Sequence, residues 1–290
     1  MTQILTLIAG AERSLPAEFM NDVKADKITV LHRDKAVDLF FEDAARATAV
    51  FQELAAECDT QKIDAVLQDD SPVRRKKLLC ADMDSTLIEQ EGLDLIAAHL
   101  GLGAETAAVT ERAMRGEIDF AASLTERVAL LKGLPAAKLD ETFAALTDTP
   151  GAEKLVKTMR KNGARCVLIS GGFTVFADKV AARLGCHAAH SNILDIADGA
   201  LTGQVLPPIL DSLRKRSILE DERNRLKIGN SDVLAVGDGA NDIPMLEAAG
   251  MGVAFRAKPK VEAITPYRIR YGDLSSLLYL QGYTEADIVA

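Results

Sequence analysis

The sequence has no cysteine pair at C-x-x-C spacing: Cys58, Cys80, Cys166 and Cys186 are scattered along the chain. Two of them fall in expected core strands, so reduced, buried thiols in a cytoplasmic protein are expected, not a disulfide framework. Its four histidines, His32, His99, His187 and His190, show no metal-ligand spacing. No run approaches the roughly 18 apolar residues that a membrane span needs. Met1–Gly10 lacks a basic start, an apolar core and a cleavage site, so no secretory leader is expected. An excess of positive charge is missing too, with 34 Lys and Arg against 43 Asp and Glu and a net charge of −9. Such a chain suits neither nucleic acid nor an anionic membrane. A small phosphorylated substrate is not excluded, because local cations can dominate a single site. The 290 residues, 48% hydrophobic and 27% charged, describe a globular chain of one large or two modest domains.

The stretch Lys77–Leu87 is the most informative. Leu78-Leu79-Cys80-Ala81 is a short apolar run that reads as a buried strand of a parallel sheet. Asp82 then stands at its carboxyl end, where open α/β sheets hold their ligands, and Asp84 follows two positions later. Two carboxylates so close repel each other unless a cation or hydrogen-bond donors intervene. A divalent metal resolves this simply, leaving one acid as nucleophile and the other to move protons.

Residues 1–70 read as a unit of their own. Strands are expected at Gln3–Ile8, Ile28–His32, Ala36–Phe41 and Ile63–Leu67, and helices at Pro16–Lys24 and Ala44–Glu57. The order β-α-β-β-α-β is that of a ferredoxin-like, ACT-like α+β domain. Gln68–Lys77 reads as the linker, with Arg74–Lys77 a solvated lead-in to the next strand. Helices are expected at Leu93–Leu100, closed by Gly101, at Ala104–Arg115, stopped by Gly116, and at Phe120–Leu131 and Ala136–Leu146. About 60 residues of helix between two strands exceed a plain βα connection, so an inserted cap is expected. From Pro150 strand and helix alternate as a parallel sheet requires, with a hairpin turn at Asp198-Gly199. The expected fold is therefore α/β: a Rossmann-like doubly wound parallel sheet with a helical cap and an N-terminal ferredoxin-like domain. The domains are 1–70 and 71–290, the second divided into a core (75–90 and 150–290) and a cap (about 91–149).

Three expected strands end in polar residues: Asp82/Asp84, Ser170 and Asp238/Asp242. One such ending is commonly a helix cap. Three on one sheet edge point to a site, and oxygen-only ligands favour Mg²⁺ over Zn²⁺.

Asp82-Met83-Asp84-Ser85-Thr86 resembles motif I of the haloacid dehalogenase superfamily of phosphohydrolases, D-x-D-x-T. Ser170-Gly171-Gly172 resembles motif II, Lys215 motif III, and Gly237–Asp242 motif IV, in matching order and rough spacing. Over residues 77 to 280 the likeness narrows to the phosphoserine phosphatases, through Glu91, Met114 with Gly116, Phe120, Arg127-Val128 and Ser170–Phe173. The resemblance implies hydrolysis of O-phospho-L-serine, the last step of L-serine biosynthesis. It implies Asp82 as nucleophile and Asp84 as acid and base. Asp82, Asp238 and the Asp84 carbonyl would bind Mg²⁺, with Asp242 in support. Ser170, Gly171, Lys215 and Asn241 would hold the phosphorylated substrate. Lys215 is flanked by Arg214 and Arg216, and is preferred because it keeps the family's offset from Asp211. Glu91 would pair with an ammonium, Arg127 with a carboxylate, and Met114 and Phe120 would form an apolar lid.

Each of these has an ordinary structural alternative: Glu91 an exposed helix-start acid, Arg127 a surface partner near Glu126, Met114 and Phe120 cap core. Among other functions, dinucleotide binding fails because Gly237-x-Gly239 continues to Asp242 where a third glycine is needed. A phosphatase for another small phosphomonoester is a second reading. A phospho-receiver or amino-acid sensor is a third, and Asp84 argues against it, since a receiver needs no acid beside its phosphoacceptor. The oligomeric state is open, with a homodimer as one candidate.

Overall fold

The structure is a computed structural model that describes all residues except 1, 18, 20–22, 116 and 290, and only the backbone of Met114. Two sheets organise it. The first contains β1 (Gln3–Ala9), β2 (Lys27–His32), β3 (Ala36–Phe41) and β4 (Ile63–Asp69), antiparallel in the order β2-β3-β1-β4, with α1 (Ala44–Gln61) on one face. The helix expected over Pro16–Lys24 falls on a stretch in which 18 and 20–22 lie outside the described residues. Asp43 caps α1 by accepting the Ala45 amide at 2.8 Å, as a short acid at that position does.

β1 is buried on both faces. Leu5 and Leu7 join Leu39, Phe41 and Ala47 beneath α1. Ile8, with Leu31 and Val66, packs against Leu277, Leu278, Leu280 and Tyr283 at the other end of the chain. The first sheet therefore does not stand apart. That same face, turned toward the C-terminal elements, also carries a buried polar knot. Arg74 donates to both Asp38 oxygens, at 2.6 and 2.9 Å, and to the Leu280 carbonyl at 2.9 Å. Lys76 is 8% exposed and donates to the Val73 and Ser231 carbonyls. Arg74–Lys77 is thus a solvated lead-in only in part: Arg74 and Lys76 turn inward to these acceptors, whereas Arg75 and Lys77 are exposed and pair with Asp287 and Asp232.

The second sheet runs β11-β10-β9-β5-β6-β7-β8 and is parallel except for β8 at its edge. Its strands are β5 (Leu78–Ala81), β6 (Arg165–Phe173), β7 (Ala188–Ala197), β8 (Ala200–Leu206), β9 (Val233–Gly237), β10 (Met251–Phe255) and β11 (Arg268–Ile269). Successive residues alternate between faces. Leu79, Ala81, Cys166, Leu168, Leu234 and Val236 pack on α6 (Ala152–Lys161) and α7 (Thr174–Leu184). Leu78, Cys80, Val167, Ile169, Val233 and Ala235 pack on α8 (Ser212–Leu226) and α9 (Ile243–Ala248). Both faces are covered, which is why these strands read as unbroken apolar runs.

The cap comprises α2 (Gly92–His99), α3 (Gly103–Met114), α4 (Phe120–Ala129) and α5 (Ala137–Ala144). Its two connections to the core run side by side, bonded at Glu89 N–Thr147 O and Thr149 N–Leu87 O. The loop after α4 is strapped to the β7–β8 hairpin through the Gly133, Ala136 and Leu201 amides. Near the C-terminus two short helices were not anticipated, α10 (Pro259–Glu262) and α11 (Ser276–Leu280). Among the described residues no helix is long and apolar enough to cross a membrane.

Candidate active site

β5 is flanked by β9 on one side and β6 on the other. The chain leaves β5 to build β6, β7 and β8 in one direction, then returns to build β9, β10 and β11 in the other. The crevice at the carboxyl end of β5 is therefore the switch point of the sheet. Ala81 pairs with Leu168 and with Val236, so Asp82 lies level with Ile169, just before Ser170, and with Gly237, the last residue of β9.

Asp82 is 4% exposed and accepts the Met83 amide at 2.8 Å. The chain then makes one wide turn, closed by the Ile88 amide on the Met83 carbonyl, with Ser85 at φ +53°. That turn brings Asp84 back over the crevice. Its two oxygens accept the Gly92 amide at the start of α2, at 2.7 Å, and the Ser170 hydroxyl at 3.1 Å.

Lys215 answers the question posed by its basic neighbours. Arg216 is spent on Glu220 in solvent, whereas Lys215 is 1% exposed and places its ammonium 2.7 Å from both Asp82 and Asp242. Asp82, Asp238 and Asp242 each offer an oxygen within 4.8 Å of the others. The Asp238 carboxylate otherwise accepts only the Thr86 hydroxyl, at 3.4 Å, among the described contacts. Three carboxylates against one buried ammonium leave a net negative, all-oxygen pocket, which suits a hard divalent cation. The Asp84 side chain is not in this group, being held by Gly92 and Ser170.

Burial sets the titration of these acids, because it penalises the charged form. Burial, then the Asp242 charge, raises Asp82 well above the usual carboxylate range, against the opposing Lys215. Asp84 is pushed up to about 6 by burial and then by Glu91, and Asp238 to about 6 by burial and then by Asp242. Burial alone would lower Lys215, but Asp242 and Asp82 outweigh it and raise the ammonium above its usual range.

Ser170 does not cap a helix. Its oxygen accepts the Gly172 amide at 2.8 Å while its hydroxyl faces Asp84. A Cβ on Gly172 would sit 2.8 Å from Asp84 Oδ2, and one on Gly171 would sit 3.1 Å from the Phe120 ring. The loop is built of glycine because the acid on one side and the cap aromatic on the other leave no room. Glu91 is exposed and accepts the Ser85 hydroxyl at 2.7 Å. Arg127 is half-buried, and its one described hydrogen bond is to the Ser123 carbonyl of its own helix, at 3.4 Å. Burial lowers its pKa, with Asp94 and Glu91 opposing. Among the described residues no carboxylate comes within ion-pair distance of it, and Glu126 pairs with Arg112 instead. Asn241 lies in the turn Ala240–Asp242 at the rim, crowded against Gly239. The Met114 side chain lies outside the described residues.

Residues 76–250 match the haloacid dehalogenase-like hydrolase family, more than half of the chain. The chain belongs to the haloacid dehalogenase-like hydrolases. It is 36% identical to the phosphoserine phosphatase of Saccharomyces cerevisiae, over 98% of this chain and 97% of that one. It is 43% identical to a phosphoserine phosphatase of Mycobacterium tuberculosis over 75% of this chain, and the match spans about half (53%) of that protein. The crystal structure of a haloacid dehalogenase family hydrolase from Salmonella enterica serovar Typhi superposes with a TM-score of 0.85 at 30% identity, covering 96% of this chain and 98% of that one.

Four further residues shape the site of this haloacid dehalogenase-like hydrolase. Thr86 and Gly172 sit inside recognised motifs and were legible there. Gly92, whose amide holds Asp84, and Asn192, which holds the Gly171 carbonyl, carry no sequence signal. A lone Gly at a helix start and a lone Asn in a strand acquire meaning only from what lies opposite.

Proposed function

We propose that the chain is a Mg²⁺-dependent phosphoserine phosphatase, a phosphoric monoester hydrolase that converts O-phospho-L-serine and water to L-serine and phosphate. The observation that carries this reading is the division of labour between two acids of one motif. Asp82 sits beside a buried ammonium at the switch point, and Asp84 is pushed up to about 6 between two hydrogen-bond donors.

Asp82 attacks the phosphorus in line, forming an aspartyl phosphate as the bond to the serine oxygen breaks. Asp84, whose proton burial retains up to about pH 6, gives that proton to the serine oxygen. It then takes a proton from the water that cleaves the acyl phosphate, releasing phosphate and restoring Asp82. The Ser170 hydroxyl, the Gly171 amide and Lys215 hold the phosphoryl oxygens, and Lys215 must turn part of its contact with Asp82 and Asp242 toward them. Asp82, Asp238 and the Asp84 carbonyl, supported by Asp242, would hold Mg²⁺, which supplies charge neutralisation at the phosphoryl group. Glu91 and Arg127 read the ammonium and carboxylate of the amino acid, Phe120 and Met114 close over it, and Asn241 borders the substrate.

Residues 1–70 are proposed as a ferredoxin-like domain, and 71–290 as core and cap. The four unpaired cysteines suit the cytoplasm. A homodimer is an added proposal, checked by light scattering.

Phosphate release from a panel of phosphomonoesters, with Mg²⁺ or chelator, tests the reading. Phosphoserine should be the preferred substrate, and turnover should vanish with chelator. Charge reversal at Glu91 or Arg127 should lower kcat/KM for phosphoserine on the order of 10²-fold while sparing sugar phosphates. Equal loss for both classes would sink the amino-acid assignment.

A further inference from the structure

The ladder between β6 and β7 breaks beside the site. Pairing runs through Ile169 and His190, then resumes at Phe173 and Asn192. Three residues of β6, Ser170, Gly171 and Gly172, thus face the single Ser191 of β7, and the longer strand bulges toward the crevice. A bulge of this kind re-aims side chains but leaves backbone groups without ladder partners.

Asn192 fills that gap. It is 1% exposed, and its carboxamide makes three hydrogen bonds. Nδ2 donates to the Gly171 carbonyl at 2.8 Å and to the Leu210 carbonyl at 3.4 Å, and Oδ1 accepts the Leu210 amide at 2.7 Å. The Gly171 carbonyl and the Gly172 amide belong to one planar peptide. Fixing one end orients the other, and the Gly172 amide is the donor that holds Ser170 Oγ. On its other side Asn192 grips Leu210, next to Asp211, which caps α8 through the Arg214 amide at 2.8 Å. Lys215 stands in the first turn of that helix.

We propose that Asn192 is a positioning residue: its carboxamide locks the Gly171–Gly172 peptide to the start of α8 and so sets the Ser170 hydroxyl and Lys215 in one phosphate grip. This inference rests on the phosphatase reading of the crevice, though its test does not need turnover. It assigns no chemistry to Asn192 itself, which touches neither Asp82 nor Asp84.

The informative variant is Asn192→Asp, nearly the same shape. Its oxygen still accepts the Leu210 amide, but a carboxylate cannot donate to the Gly171 carbonyl. Asn192→Ala removes every contact. Thr202→Val in the same hairpin, which breaks the bond to Asp195 at 2.8 Å, serves as a control for general loosening. Calorimetric titration of the full-length chain in Mg²⁺ buffer measures binding of inorganic phosphate and, separately, of L-serine. Asn192→Asp is expected to weaken phosphate about 10-fold, the worth of one buried hydrogen bond. L-serine affinity should stay unchanged, because the Glu91 and Arg127 side is not held by Asn192. Unchanged phosphate affinity in a folded variant, or equal weakening for both ligands or for Thr202→Val, would overturn the proposal. Failure of the wild-type chain to bind phosphate would overturn it too. A wild-type chain that binds phosphate but leaves phosphoserine intact would refute the substrate and leave the positioning role standing.

Discussion

Arg74 lies against Asp38 with its two terminal nitrogens 2.6 and 2.9 Å from the two carboxylate oxygens, across the seam between the two sheets. Thr6, opposite Asp38 in the ladder, donates to the same carboxylate at 2.8 Å. Removing one partner of a buried pair strands a charge, which costs about 3–5 kcal/mol. Arg74→Ala should therefore destabilise the chain by that amount in urea unfolding. Arg74→Lys should recover only part, because an ammonium cannot make the paired contact. A loss under about 1 kcal/mol would show that the seam does not depend on this pair. The same seam predicts that a chain lacking 1–70 aggregates, because Leu277, Leu278, Leu280 and Tyr283 would lose their cover.

Lys215 is a shared counter-ion for Asp82 and Asp242. Lys215→Met should lower kcat on the order of 10³-fold, the usual cost of removing a preorganised donor from developing charge. Arg214→Ala and Arg216→Ala should stay near wild type in the same phosphate-release assay. A comparable fall in Arg214→Ala would reassign the role.

Gly172→Ala places a methyl 2.8 Å from Asp84 Oδ2 and 3.0 Å from Ser170 Oγ. Something must move, and a shift of about 1 Å in a reacting group costs roughly 10² in rate. We expect that fall in kcat/KM with the melting temperature little changed. Full activity would mean the acid and the loop can part without consequence.

Asp64, Asp84 and Asp238 are each pushed up to about 6, in every case first by burial. In the unfolded chain their pKa is about 3.9. A folded-state pKa above the unfolded one contributes stability that is full below about pH 4 and lost as pH rises through 6. Metal-free protein should thus melt at a higher temperature at pH 5 than at pH 7.5, by about 5 °C or more. Mg²⁺ needs ionised carboxylates, so its stabilisation should be larger at pH 7.5. Thermal melts in chelator and in Mg²⁺ check both signs, and a metal-free melting temperature that rises from pH 5 to 7.5 would contradict the burial argument.

Much of the fold was legible because local pattern and tertiary demand agree. Ala36–Phe41 begins and ends where its residue pattern places it, and the helix expected over Ala44–Glu57 begins as expected and runs one turn further, to Gln61. Asp43 and Asp211 begin their helices in the structure with short side chains that accept backbone amides. Arg74–Lys77 misled because a run of cations is usually solvated. Asp38 and the Leu280 carbonyl, which make Arg74 a buried anchor, are 36 and 206 residues away. α11 was passed over because Ser276–Leu280 spans little more than one turn, too short for a helical period to show.

By itself the sequence determined the strand that carries Asp82, the polar endings of three strands and the length of the insertion that becomes the cap. These follow from side-chain periodicity and spacing, which are local. Only the tertiary structure set the preferred Lys215 between Asp82 and Asp242, and turned Asp84 from the acidic cluster toward Ser170 and Gly92. It alone joined Asn192 to Gly171. These are contacts between residues far apart in the chain, and their energies depend on burial and on what else competes for each donor.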